Sequence, residues 1–348
     1  MGLFSRQSSF LGVDIGSTGI KIVELKKENG QQKLLTYAFS ENKDGKQIEW
    51  QKEPKFAAET INKMCAEAGV VSRSAVSALP TFAVFSSVLN LANIDKKDIP
   101  SAVHWEAKKV IPLPLEEMIL DWKKIEENDG REKGGRNFKI LLTGAPKALV
   151  KKYVEIFKAA QISLLSLETE TFSLIRSLLG AEKAIIMIVE LGASTTDISI
   201  AENSIPMLSR SIDVGGVSIT RTISKQSGLN FARAEQFKYD LGVNALVTQT
   251  FRVPPEIIKA ISPIVNEIKY AINLYQSKNN KKIEKIVLSG GSALLPNLVN
   301  YLSDLLDIKV IIGDPWAQIF YPADLRPLLN EIGPKMSVAV GLALREME

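Results

Sequence analysis

The chain of 348 residues is 45% hydrophobic and 24% charged, an ordinary globular balance with material for two domains of ~100–200 residues each. Lys and Arg number 43 against 39 Asp and Glu, a net charge of +4, too small over this length to call for nucleic acid as a partner. One cysteine, Cys65, and one histidine, His104, exclude an internal disulfide and a Cys/His zinc site and leave His104 as the sole histidine for acid–base work.

Short apolar strands alternate with helices along the chain, so the class is α/β. FLGVDIG and GIKIVELK read as two strands joined by a tight turn, and KFAAETINKMCAEAG as an amphipathic helix that buries Cys65. AVSALPTFAVFSSVLNL returns to strand character. IPSAVHWEAKKV is a helix carrying His104 on one face, MILDWKKI and FKILLTGAP are strands flanking the polar, Gly-rich hairpin ENDGREKGGRN, and KALVKKYVEIFKAAQ is a helix. Trp105 and Trp122, with apolar neighbours, are expected in the core rather than on a peptide-binding surface. AIIMIVELG and TTDISIAEN are again two strands with a tight turn, and SIPMLSRSID is a third. Helices follow at VSITRTISKQ, ARAEQFKYDLG and EIIKAISPIVNEIKYAINLYQS. IEKIVLSGG is a strand entering a Gly turn, LPNLVNYLSDLLD the helix after it, and SVAVGLALREM a short closing helix. The longest apolar run, Ala184 to Val189, falls far short of the ~18 residues of a membrane span. The N-terminus lacks the long apolar centre of a signal peptide. Membrane association is therefore expected through another protein, and the cysteine usage fits the cytosol.

A repeat is the most informative feature. VDIGSTGIKI aligns with VELGASTTDI, matching Asp14 with Glu190, Gly16 with Gly192, Ser17 with Ala193, and Lys21 with Asp197. Either copy alone is explained by turn geometry. The duplication with matched acids points instead to two related lobes facing each other. Turns of Gly, Ser and Thr expose backbone N–H groups to an anion. Ser17 and Thr18 add hydroxyl donors, and Lys21 adds a cation within reach of a terminal phosphate. A carboxylate before each turn fits anion binding if a cation lies between, and Mg²⁺ held through water by Asp14 and Glu190 meets that need. Gly290 and Gly291, between a strand and a helix, permit close approach of a flat ligand or a phosphate. Glu235 and Lys238 stand three apart on one helix face, where a solvated ion pair is the plain reading.

The order DIGS-TGIK, ELGASTTD, GGVSIT, AEQFK, LSGGSALLP resembles the actin-like ATPase superfamily, with its ribonuclease H-like two-lobed fold. IPLPLEEMILDW, NFKILLTGAPKALVKKYVEIFKAAQ and the closing SVAVGLALRE make the chain similar to the PilM family of type IV pilus assembly proteins within the FtsA-like branch. The resemblance implies ATP and Mg²⁺ as cofactors. Asp14, Gly16, Ser17, Thr18 and Lys21 would form the first phosphate loop. Glu190, Gly192, Ala193, Ser194, Thr195, Thr196 and Asp197 would form the second. Gly215 and Gly216 would lie near the phosphates or ribose, Glu235 and Lys238 beside ribose and adenine, and Gly290, Gly291 and Ser292 in the adenosine turn. Glu168 or Glu170 would orient the attacking water, and spacing leaves the choice open. Glu190 stands where the superfamily usually has Asp, a carboxylate shifted by roughly 1 Å or more, with consequences for metal geometry and hydrolysis.

The resemblance further implies a first lobe of residues 1–84, 162–183 and 336–348, an FtsA/PilM-type inserted subdomain at 85–161, a second lobe of 184–228 and 284–335, and a smaller subdomain at 229–283. The chain would cross to the second lobe near Ala184 and return near Met336. The implied partner is the short cytoplasmic tail of a PilN-like membrane protein, seated in an apolar groove lined by Val110, Ile111, Pro112 and Leu113. Packing of these residues onto the first lobe explains them equally well. Other pilus platform proteins and a second copy of the chain are further implied partners. The expected location is cytoplasmic and peripheral to the inner membrane, with slow or no ATP turnover. A polymerising FtsA-like division protein is the alternative, disfavoured because the sequence stops at GLALREME without an amphipathic tail. A small-molecule kinase is another, lacking a clear catalytic Asp beside an acceptor.

Overall fold

The computed structural model describes residues 9–42, 45–50, 52–129, 136–241 and 255–347. The chain opens with an antiparallel meander, β1 (Ser9–Gly16), β2 (Gly19–Glu28) and β3 (Gln31–Phe39), followed by α1 (Pro54–Glu67) and β4 (Ser74–Leu79). A second unit of β5 (Phe85–Ile94), α2 (Ile99–Val110), β6 (Met118–Asp129) and β7 (Arg136–Pro146) intervenes. Then come α3 (Lys147–Ala159), β8 (Ser163–Thr169) and α4 (Glu170–Leu178). The second half repeats the meander as β9 (Ile185–Leu191), β10 (Thr196–Glu202) and β11 (Ile205–Ile212). It continues with α5 (Gly216–Ser227), α6 (Phe231–Leu241), α7 (Pro255–Asn279), β12 (Lys285–Ser289), α8 (Leu298–Leu306) and β13 (Lys309–Ile312). The short β14 (Ile319–Phe320) and α9 (Arg326–Leu344) complete the order.

The first sheet runs β14-β3-β2-β1-β4-β8 and the second β11-β10-β9-β12-β13. In each, an antiparallel three-strand meander is extended by two parallel strands beside its first strand. The duplication seen in two turns thus extends to whole sheets. β1 and β9 are buried almost throughout rather than alternating, because helices cover both faces. Leu11, Val13 and Ile15 of β1 pack in one core with Ile61 of α1 and Tyr153, Ile156 and Phe157 of α3. Val23 and Leu25 of β2 face α9 and Trp316. One core of the second sheet joins Met187, Val189 and Ile198 to Ile219 of α5, Ala234 of α6 and Ile268 of α7. A further core sets Leu174 and Ile175 of α4 and Val338 and Leu342 of α9 against Val76 of β4 and against Ile186, Ile188 and Val287 of β9 and β12. Helices α4 and α9 therefore lie between the two sheets. They cross so closely that a Cβ at Gly341 would sit 1.9 Å from the Ser173 carbonyl oxygen, so only glycine fits there.

Several sequence expectations shift. β3, half-exposed along its length, carries no strong apolar alternation and was not foreseen as a strand. The closing helix begins at Arg326 rather than Ser337 and runs through Pro334. The Pro334 carbonyl also accepts the Gly290 N–H at 2.8 Å and the Ser289 hydroxyl at 3.1 Å. The return to the first sheet comes earlier than Met336, because Trp316 packs with β2 and β14 pairs with β3. The inserted unit ends near Pro146 rather than Gln161: its three-stranded sheet β5-β7-β6 shares a core with α2, whereas α3 packs into the first lobe. The described residues of 229–283 share the second sheet's core rather than building one of their own.

Candidate functional site

The turns after β1 and β9 face each other across a cleft of about 580 Å³, within the usual size range of ligand sites. Asp14, Gly16, Ser17, Thr18 and Lys21 line it from the first lobe, and Glu190, Gly192, Ala193, Ser194, Thr195 and Asp197 from the second. At the first turn, Asp14 and Lys21 are cross-strand neighbours and their side chains form an ion pair at 2.9 Å. The carbonyls of Gly16, Ser17 and Thr18 accept hydrogen bonds from Trp50 Nε1, the Ile48 N–H and the Asn42 N–H, each at 2.8 Å. That pattern occupies the turn's acceptors and suits presenting its donors to an anion. Burial opposes the Lys21 ammonium, but Asp14, Glu190 and Glu170 outweigh it and raise its pKa.

At the second turn the same cross-strand positions hold two acids, Glu190 and Asp197. Glu170, the first residue of α4, joins them, and carboxylate oxygens of the three lie within 4.8 Å of one another. Glu190 Oε2 and Asp197 Oδ1 are buried without a hydrogen-bond partner among the described residues. Burial, then the neighbouring acids Asp197 and Asp14, push Glu170 up to about 8 despite two hydrogen bonds from Thr81. Burial raises Asp197 to about 6 and, with the Glu170 and Asp197 charges, lifts Glu190 well above the carboxylate range. A compact set of oxygens with orphaned lone pairs and suppressed ionisation has the donor chemistry of a hard divalent cation site.

The N-terminus of α5 abuts this second turn. The Gly216 and Val217 N–H groups donate to the carbonyls of Gly192 and Ala193, each at 2.9 Å. Ser292 stands close, for a Cβ on Gly216 would meet its Oγ at 2.4 Å. Gly290 has φ +81, and a Cβ there would lie 2.4 Å from the Leu191 carbonyl, which brings the 290–292 turn tight against β9. A Cβ on Gly291 would meet open space.

The structure places the expected site residues as follows. Of the expected metal pair, Asp14 forms an ion pair with Lys21, while Glu190 groups with Glu170 and Asp197. Glu168 lies outside the cleft, held by Arg176 at 2.7 Å and Arg345 at 3.3 Å, so Glu170 is the one of the two at the site. Thr196 is fully buried and its hydroxyl donates to the Val214 carbonyl at 2.6 Å. Glu235 and Lys238 form a 2.8 Å pair with Lys238 buried, its ammonium also donating to Thr220 Oγ1 at 3.0 Å and the Gly216 carbonyl at 3.3 Å. Burial lowers the Lys238 pKa against the pull of Glu235. This pair braces α6 against α5 and does not line the cleft. Sequence reasoning missed Trp50, Phe82, Asp213 and Arg221, all lining it. It also missed Asp197 as a metal-site acid, although the repeat sets Asp197 opposite Lys21.

A sequence profile of the family described as type IV pilus assembly protein PilM matches residues 12–347. The chain belongs to this family. A PilM–PilN type IV pilus biogenesis complex contains a chain of the same fold, with a TM-score of 0.81 and 24% identity over 98% of this chain and 99% of that one. MreB5 of Spiroplasma citri bound to ADP matches at TM-score 0.55 and 12% identity over 98% and 97%. Cell division protein FtsA of Streptococcus pneumoniae is 20% identical over 89% of this chain and 76% of its own length. The fold of this PilM-family chain is the two-lobed actin-like ATPase fold, with a three-stranded unit inserted after β4. Among the described residues no helix is long and apolar enough to cross a membrane.

Proposed function

We propose that this PilM-family protein binds ATP with Mg²⁺ in the cleft and uses nucleotide state to control docking of a PilN-like membrane partner. It would work in the cytoplasm, at the inner-membrane platform of a type IV pilus. The carrying observation is the facing of a cationic turn, Lys21 with Asp14, by an unneutralised acid triplet, Glu170, Glu190 and Asp197. Nucleotide and metal require those two halves: Lys21 and the Ser17–Thr18 turn for phosphate, the triplet for the cation. Mg²⁺ supplies charge neutralisation at the phosphates when bound. The solved MreB5 relatives bound to ADP and AMPPNP support nucleotide as the ligand. Turnover is expected to be slow. Glu170, raised to about 8, holds a proton at neutral pH in the metal-free chain, and His104 sits exposed on α2, away from the cleft. Water positioning is left to a carboxylate tied down by Thr81.

The partner reading rests on the inserted unit. Trp105 and Trp122, expected in the core, are 65% and 38% exposed. Val110 and Leu113 are also exposed, whereas Ile111 is buried in the unit's own core and drops out of the groove. The PilM–PilN relative supports a PilN-like partner, and we take its tail as the occupant of this face. Two measurements test the proposal. Calorimetry should show ATP binding that strengthens with Mg²⁺ and weakens about ten- to a hundredfold in Lys21→Ala, the loss of one charge-assisted contact. Absence of binding heat in the parent protein rejects the cleft reading. Val110→Asp or Leu113→Asp should keep ATP binding and lose capture of the pilus peptide; unchanged capture by both rejects the groove.

A further inference from the structure

Among the described residues, the Glu170 carboxylate is held by one. Its Oε2 accepts the Thr81 N–H at 2.8 Å and the Thr81 hydroxyl at 3.1 Å. Thr81 opens a single 3₁₀ turn, Thr81–Ala83, that separates β4 of the first lobe from β5, the first strand of the inserted unit. Pro80 and Phe82, on either side of Thr81, line the cleft. The same turn packs against β11 of the second lobe, and β5 touches β11 as well. Three parts of the molecule therefore meet at this turn: the acid triplet, the second lobe and the root of the inserted sheet. Phe82 is 65% exposed here, so the turn is not locked in place by burial of its own apolar side chain. Its hydrogen bonds to Glu170 are the specific tether. A cation that draws on Glu170 acts on the same carboxylate that Thr81 holds in place.

We propose that Thr81 is the positioning residue of Glu170 and that the Thr81–Ala83 turn relays occupancy of the cleft into the inserted sheet. The proposal rests on the reading of the cleft as a Mg²⁺–nucleotide site and adds the path from that site to the partner-facing unit. The sheet responds through β5, whose first residue lies two positions beyond the turn.

Hydrogen exchange of residues 81–94 in the full-length protein, read by mass spectrometry beside calorimetry, tests it. ATP with Mg²⁺ should change exchange across 85–94 in the parent. Thr81→Val keeps the shape and the N–H but loses the hydroxyl. It should bind Mg²⁺–ATP about tenfold more weakly and lose the exchange response. Thr81→Ser should restore both, which a merely space-filling Thr81 would not require. In a separate arm without nucleotide, Glu170→Ala should raise exchange across 81–94. Unchanged exchange at 85–94 in a parent whose calorimetry shows bound nucleotide overturns the relay. A full response in Thr81→Val, or unaltered exchange in Glu170→Ala, does the same. A parent with no binding heat rejects the cleft reading instead, and the Glu170→Ala arm then decides the tether by itself.

Discussion

Before the first turn stands Asp14, and across the strand from it Lys21, 2.9 Å away. Before the second stands Glu190, and across from it Asp197. The backbone is the same: two antiparallel strands, a glycine two positions after the acid, and a parallel strand beside the first. One duplicated hairpin has become a neutralised pair with a cation, the other an uncompensated pair of acids. Taken alone, the first turn could seat an anion and the second a cation. On the proposed function, it is their opposition across one cleft that would make a site for an anion and a divalent cation together. A repeat thus supplies matched geometry, and divergence at a single cross-strand position, Lys21 against Asp197, supplies complementary charge.

Erasing that divergence is the hardest way to break the site. Lys21→Asp would make the first turn a copy of the second and bring the acids of the two turns and Glu170 to five. Breaking a fully buried pair and leaving its partner costs roughly 3–5 kcal/mol; with Lys21 22% exposed, chemical denaturation should show a loss below that range. Nucleotide affinity should fall further than in Lys21→Ala. A variant that retains parental ATP affinity would show that phosphate does not rely on Lys21.

Weakening the second turn should act in opposite senses on stability and on binding. Glu190→Gln removes a buried acid that burial and the Glu170 and Asp197 charges force toward its protonated form and whose Oε2 has no partner among the described residues. The metal-free protein should gain about 1–2 kcal/mol, while the Mg²⁺ dependence of ATP binding collapses. Thermal melts with and without Mg²⁺ separate the two effects. The pH response has the same origin. Glu170 at about 8 and Asp197 at about 6 stay protonated in the folded chain beyond the point where the unfolded chain has released its protons. The folded state then binds more protons, so metal-free stability should decline as pH rises from about 5 to 8. In Glu190→Gln the decline should be shallower. A metal-free protein that grows more stable over that interval would contradict the acid-triplet geometry.

Much of this was legible in the sequence where local spacing dictates structure. The paired turns, the glycines at 16, 192 and 290, and the third strand after the second turn all follow from short-range pattern. What was not legible depends on which distant elements converge. Glu168 and Glu170 are both acids at the end of β8, but only the structure shows that Arg176 and Arg345 claim the first and leave the second in the cleft. Trp105 and Trp122 sit among apolar neighbours in sequence, yet the small sheet of the inserted unit fills its core with Phe138, Ile140 and Leu142 and leaves both indoles exposed. The start of α9 was hidden by Pro334, whose carbonyl serves the Gly290 turn.

The smallest expected effect comes from the one departure within the second turn, Glu190 where the superfamily usually has Asp. Glu190→Asp keeps the charge and withdraws the carboxylate by one methylene, roughly 1 Å or more. Losing a buried methylene costs about 0.8 kcal/mol. Drawing one acid back toward β9 relieves repulsion from Glu170 and Asp197, so the net stability change should stay under about 1 kcal/mol. The consequence lies in the cleft. With Glu190 long, its carboxylate reaches to within 4.8 Å of Glu170, and Glu170 is shared between that acid cluster and Thr81. A shorter side chain frees Glu170 to position water, so ATP turnover should rise modestly while ATP affinity stays near parental. Single-turnover kinetics with matched calorimetry would read the split. Unchanged turnover would mean that the extra methylene does not limit Glu170, and that the Thr81 tether is the stronger constraint on it.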